Sequence, residues 1–147
     1  MRANQANTPL QNDQLREHNR LLVYHCLVRH ADEKLTRVDI NKSTNLSIPT
    51  VGTILREFQE LGLVEQVGRS TARGGRPAQL VQFNAAAATV LAVDLAGSRF
   101  RAAIVDLLGK PLQRFEGPAS GPQAADGLGG WLAGLLAEHG DEYKVAH

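Results

Sequence analysis

Between about Asp13 and His30 apolar residues recur near helical spacing, Leu15, Val23 and Leu27 among them, and Asp13 stands where an N-cap belongs. The pattern predicts a first helix. Thr36 can cap a second, short helix running to about Thr44, with Val38 and Ile40 as its apolar contacts and Asp39 in the first turn, where the helix dipole favours an anion. Asn45-Leu46 follows as a tight turn, because asparagine tolerates left-handed backbone better than most residues. Ser47 is the next cap and Pro49 fits a first turn. Ile48, Val51, Ile54, Leu55, Phe58 and Leu61 then step by three and four, giving a third helix one apolar face, and Gly62 stops it. From Leu63 to Val67 the pattern turns to alternation, and Gln79 to Phe83 repeats it beyond a segment rich in Gly, Arg and Ser. Three helices and a two-stranded hairpin make the layout of a winged helix-turn-helix.

Past Asn84 the pattern changes. Val90 to Leu95 is an apolar run too short for an ordinary helix, Phe100 to Leu107 is a second, and Gly109-Lys110-Pro111 is a turn, so two or three strands in a meander are expected. The stretch Gly117 to Gly130, rich in Gly, Pro and Ala, reads as loop, and Trp131, Leu132, Leu135 and Leu136 as a short amphipathic helix. The predicted fold class is α+β: a winged helix-turn-helix over residues 13–84, then a partial α/β domain over 87–147. Residues 1–12, rich in Asn and Gln without periodicity, are expected to be a flexible arm.

Composition adds two things. The 147 residues are 43% hydrophobic and 21% charged, an ordinary globular balance, and no stretch approaches the length of an apolar membrane span. A cytoplasmic protein with no membrane partner is expected. The net charge of +1 conceals a segregation: residues 1–84 hold eleven Lys and Arg against eight Asp and Glu, residues 85–147 five against seven. Positive charge gathered in the helical half points to nucleic acid. The single cysteine, Cys26, excludes an internal disulfide and reads as a small apolar filler.

In a helix-turn-helix the second helix enters the major groove and its N-terminal residues meet base edges. The candidates facing away from the apolar stripe are Pro49, Thr50, Gly52, Thr53 and Arg56, with Ser47 at the cap and Arg37 at the start of the preceding helix. Thr hydroxyls can bond bases or phosphates, Arg56 can reach a guanine edge or the backbone, and Gly52 would permit close approach. The bland alternative is that Ser47 and Thr50 only cap the helix and Arg56 only pairs with Glu60. The segment Gly68 to Pro77 carries Arg69, Arg73 and Arg76 and no carboxylate, and Gly75 and Pro77 bracket Arg76, a pattern suited to a narrow minor groove. No catalytic constellation can be assembled, and His18, His25 and His30 lack metal-ligand spacing, so the expectation is neither an enzyme nor a metal protein.

The stretches Leu15 to Arg20, Leu46 to Val51, Leu61 to Val64 and Gly75-Arg76-Pro77 resemble, in order and spacing, the repressor branch of the ROK family, which groups bacterial repressors with sugar kinases. Val90 to Ser98 and Ala102 to Gly109 are similar to the first phosphate loop and following hairpin of that family's actin-like sugar-kinase fold. The resemblance implies a repressor of sugar-metabolism genes that binds double-stranded operator DNA, forms a homo-oligomer at full length and releases DNA when a sugar binds. Carried over residue by residue, it points to Asp94, Gly97 and Ser98 as nucleotide-facing. Ala96 departs from the usual glycine, so that site is expected to be vestigial and no cofactor is expected. The family continues for a few hundred residues with its sugar site and zinc motif, so this chain is expected to be only the beginning of such a protein. Two alternatives stay open: a fragment of a ROK sugar kinase with an N-terminal extension, and a MarR-like regulator. The second predicts a long final helix, against which the Gly117 to Gly130 run argues.

Overall fold

The computed structural model describes residues 9–70, 77–95, 99–118 and 127–143. The chain divides into two compact units, Met1–Asn84 and Ala85–His147.

The first unit begins with α1 (Pro9–Arg29), then α2 (Arg37–Thr44), α3 (Ile48–Glu60) and an antiparallel pair, β1 (Val64–Arg69) and β2 (Gln79–Phe83). Helix α1 starts at Pro9, not at Asp13, so residues 9–12 of the expected arm are helical. Proline is tolerated there because the first N–H groups of a helix lack carbonyl partners anyway. At 21 residues α1 is roughly 30 Å long, and Leu15, expected inside, is 56% exposed, lining a groove with Thr50, Thr53 and Ile54 of α3.

The other boundaries follow local chemistry. Thr36 and Asp39 cap α2 reciprocally, and Asn45 ends it at φ 58°, in the left-handed region. Asn41 Nδ2 donates to the Leu46 carbonyl at 2.6 Å and fixes the turn into α3. Ser47 caps α3 through the Thr50 N–H. Gly62, at φ 73°, lets its own N–H reach the Gln59 carbonyl and the Leu63 N–H reach that of Phe58, which satisfies carbonyls the helix end would leave open.

Val23, Cys26 and Leu27 of α1, Ile40 of α2, and Val51, Ile54, Leu55 and Phe58 of α3 form the buried core with Leu35, Val64, Val81 and Phe83. Cys26 is buried, as an apolar filler should be. The hairpin departs from simple alternation. Its register slips between Gln66 and Gly68, with Gly68 at φ 128°, so Val64 and Val67, three apart, are the more buried side chains of β1. Leu35 extends the sheet by one bridge: its N–H and carbonyl exchange 2.9 Å bonds with those of Val81.

The second unit opens with a short helical turn at Ala85–Ala87 and continues as the antiparallel meander β3 (Thr89–Asp94), β4 (Arg99–Asp106) and β5 (Pro111–Pro118), followed by α4 (Gly127–Tyr143). The loop expected through Gly130 is therefore shorter, since β5 includes Gly117 and α4 begins at Gly127. A glycine-rich start is a poor helix former alone, but packing on the sheet outweighs propensity. Trp131 stacks on Phe100 with ring centroids 5.9 Å apart, His139 lies against Phe115, and the Tyr143 hydroxyl donates to Gln113 Oε1 at 2.8 Å. At 17 residues α4 is not short, so an interrupted final helix no longer speaks against a MarR-like relation. No described helix is long and apolar enough to cross a membrane.

Candidate nucleic-acid interface

The α2-turn-α3 pair and the hairpin present the candidate residues of the first unit. Thr36 starts the arrangement. Its hydroxyl donates to Asp39 Oδ2 at 2.6 Å, its backbone N–H donates to the same oxygen at 2.8 Å, and its Oγ accepts from the Asp39 N–H at 3.2 Å. The hydroxyl bond first and the backbone bond second hold the Asp39 carboxyl below its ordinary range.

On α3, Ser47, Pro49, Thr53 and Arg56 are exposed, Thr50 is half-buried and Gly52 is buried. Their polar groups are chained together. Ser47 Oγ accepts from the Thr50 N–H at 3.2 Å and lies 2.8 Å from the Thr50 hydroxyl. Thr53 Oγ1 donates to the Pro49 carbonyl at 3.2 Å and accepts from Arg56 Nη2 at 3.1 Å. Arg56 is thus not tied to Glu60. Its side chain lies back over Thr53 on the exposed face, where it can swing outward without breaking a buried bond.

Glu57, one residue on, anchors the helix. It meets Arg16 at 2.5 Å and Arg20 at 3.5 Å, both on α1. Its Oε2 is buried and lies opposite Arg20 Nε without the alignment of a hydrogen bond, so charge attraction is what that second contact supplies. The exposed polar face of α3 is therefore held from behind by the apolar core and from one side by two arginines of α1.

A Cβ built at Gly52 would stand at ordinary contact distance from the exposed Arg37 side chain of α2, 3.4 Å from Nη1 and 3.7 Å from Cζ. Arg37 Nη2 also reaches Gln79 Oε1 of β2 at 3.5 Å. Beside it, Thr36, Arg37, Gln66, Arg69, Pro77 and Gln79 line a cleft between the start of α2 and the base of the hairpin. Arg69 and Pro77 are exposed at its edge. Arg73, Gly75 and Arg76 lie outside the described residues.

In the second unit Asp94 ends β3 on an exposed rung, directly opposite Arg101 in the ladder. Gly97 and Ser98 lie outside the described residues. Among the described residues no cluster of three His, Cys, Asp or Glu could hold a metal ion.

The fold these elements define is a mixed α+β arrangement with two small sheets, and it has a solved counterpart. The chain is similar to a crystal structure described as a ROK family transcriptional regulator, homologue of the E. coli MLC protein, with a TM-score of 0.67 at 18% identity over 87% of this chain. The chain spans 33% of that protein's length. No family model and no curated protein matches the chain.

Proposed function

We propose that the chain is the DNA-binding portion of a ROK-type transcriptional repressor: a winged helix-turn-helix followed by the beginning of an actin-like, sugar-kinase-like domain. The observation that carries this reading is the exposed pair of Thr53 and Arg56 on α3. That helix is capped by Ser47, set off from α2 by the left-handed Asn45, and flanked by a hairpin whose loop carries arginines. Helix α3 enters the major groove, where Arg56 and the Thr hydroxyls meet base edges. The hairpin lies along the neighbouring minor groove, with Arg69 on a phosphate.

In this reading the protein works in the cytoplasm, catalyses no reaction and needs no cofactor to bind DNA. The complete protein is a homo-oligomer that releases its operator when a sugar occupies the second domain. The similarity in fold to a transcriptional regulator supports the assignment, and the positive charge of residues 1–84 supports a nucleic-acid partner.

The test is selection of duplexes from random DNA with the parent chain and with Arg56→Ala and Thr53→Ala. Loss of a good base contact relaxes discrimination at one or two base pairs, by about 1 to 3 kcal/mol per contact. Recovery of the same site with unchanged discrimination by both variants would remove α3 as the reading element.

A further inference from the structure

Two arginines of α1 converge on one carboxylate of α3. Glu57 meets Arg16 through Oε1 at 2.5 Å and Arg20 through Oε2 at 3.5 Å. The two arginines are not equivalent. The Arg20 side chain is 34% exposed, faces the buried Oε2, and has Glu17 3.8 Å away as a second partner. The Arg16 side chain is 65% exposed and shares a carboxylate that Arg20 also holds. With Asn12 and Asn19, one turn to either side of it on α1, Arg16 lines a groove whose other wall is Thr50, Thr53 and Glu57 of α3. Thr50 and Thr53 belong to the face proposed to read bases. The exposed guanidinium therefore borders that face on the α1 side.

We infer that Arg16 contacts the DNA backbone: on the duplex it exchanges Glu57 for a phosphate beside α3, while Arg20 keeps Glu57 in place. This rests on the DNA-binding reading proposed above and adds α1 to the elements that touch DNA. An α-helix with its side chains is about 10–12 Å across and the major groove about 12 Å wide, so a group flanking the base-facing side of α3 comes against the phosphates at the groove's rim. Arginine suits that place, because the fork that pairs with a carboxylate pairs equally with phosphate oxygens. The exchange costs little. An exposed ion pair contributes little to stability, and Glu57 gives up one of two guanidiniums. Among the described residues lining the groove Glu57 is the single carboxylate, and Arg20 already counters its charge, so a phosphate is not repelled.

The experiment uses the full chain with Arg16→Ala, Arg16→Lys and Arg20→Ala, each checked by far-UV circular dichroism and thermal melting. Binding is titrated across salt on the duplex the parent selects and on a scrambled duplex. Arg16→Ala should weaken binding to both by the same factor, about fivefold or more, and lower the slope of log affinity against log salt by about one unit. The ratio between the two duplexes should stay parental, since a phosphate carries no sequence information. Arg16→Lys should keep the parental slope, because a point charge also serves a phosphate. Arg20→Ala is the control for an ion pair that only anchors α3: it should lower the melting temperature more than Arg16→Ala does and leave the slope parental.

A parental slope in Arg16→Ala overturns the inference. An equal drop in slope for Arg20→Ala overturns it too, because it would mark the general field of the helix in place of a contact. A parent that binds both duplexes alike, with one unit of slope still lost in Arg16→Ala, would remove the sequence-reading claim and leave the phosphate contact standing. A parent with no affinity for either duplex would remove both.

Discussion

Ser47→Ala separates the cap of α3 from its role in recognition. The change removes the oxygen that accepts from the Thr50 N–H at 3.2 Å and its 2.8 Å bond with the Thr50 hydroxyl. Losing a serine N-cap costs about 1 kcal/mol. The second bond is exposed, and water replaces it, so it adds about 0.5 kcal/mol at most. For a unit the size of Met1–Asn84 a loss of about 1 to 1.5 kcal/mol lowers the melting temperature by roughly 5 to 10 °C. Far-UV circular dichroism follows this unit, which holds three of the four described α-helices, while Trp131, the single tryptophan, reports on the other. Ser47→Asp restores the cap and adds an anion where the helix dipole favours one, so its melting temperature should equal or exceed the parent's. Its DNA affinity should nevertheless fall, because the new carboxylate faces the phosphates. A shift below about 1 °C in Ser47→Ala, or failure of Ser47→Asp to recover stability, would refute the capping argument.

Asp39 predicts a pH dependence. Its folded pKa is depressed by Thr36, so the stability it contributes is present above the ordinary carboxylate pKa and lost as pH falls through the lower folded value; acid titration should show this loss below about pH 4 in the parent and not in Asp39→Asn. Leu27, 1% exposed in the first core, should cost about 2 to 5 kcal/mol as Leu27→Ala, measured by urea unfolding followed at 222 nm. Gly117→Ala should disrupt the second unit, because the new Cβ would stand 2.5 Å from the Trp131 ring; the assay is a shifted, destabilised Trp131 fluorescence transition. Calorimetry with magnesium-ATP should give no saturable heat, and a micromolar isotherm would contradict the reading of Asp94 as part of a vestigial site.

What could be read from the sequence was what short-range chemistry decides. Thr36, Ser47, Asn45 and Gly62 act on backbone groups within four residues of themselves, and the elements begin and end at them. The misreadings lie where distant residues decide. That Arg37 of α2 lies beside Gly52 of α3 is a neighbourhood between helices that spacing along one helix does not reveal. Leu15 fits the apolar rhythm of α1 but is 56% exposed, in a groove beside Thr50 and Thr53 of α3. The glycine-rich start of α4 carries no local helix signal and is fixed by Trp131 on Phe100, a pairing no periodicity reveals. The bulge at Val67 shifts the hairpin by one residue. Arg56 could be named as a reader, but its link to Thr53 in place of Glu60 required coordinates.

The central claim is that the capped α3 helix and the basic hairpin of the first unit read a DNA sequence. The most direct measurement is the affinity of the full chain for a duplex selected from random DNA, against a scrambled duplex of equal composition, over a range of salt. The account predicts a selected duplex bound about a thousandfold or more tighter than the scrambled one near physiological salt, with both affinities falling as salt rises. Equal affinities for the two duplexes, or no enrichment of any sequence in the selection, would contradict it.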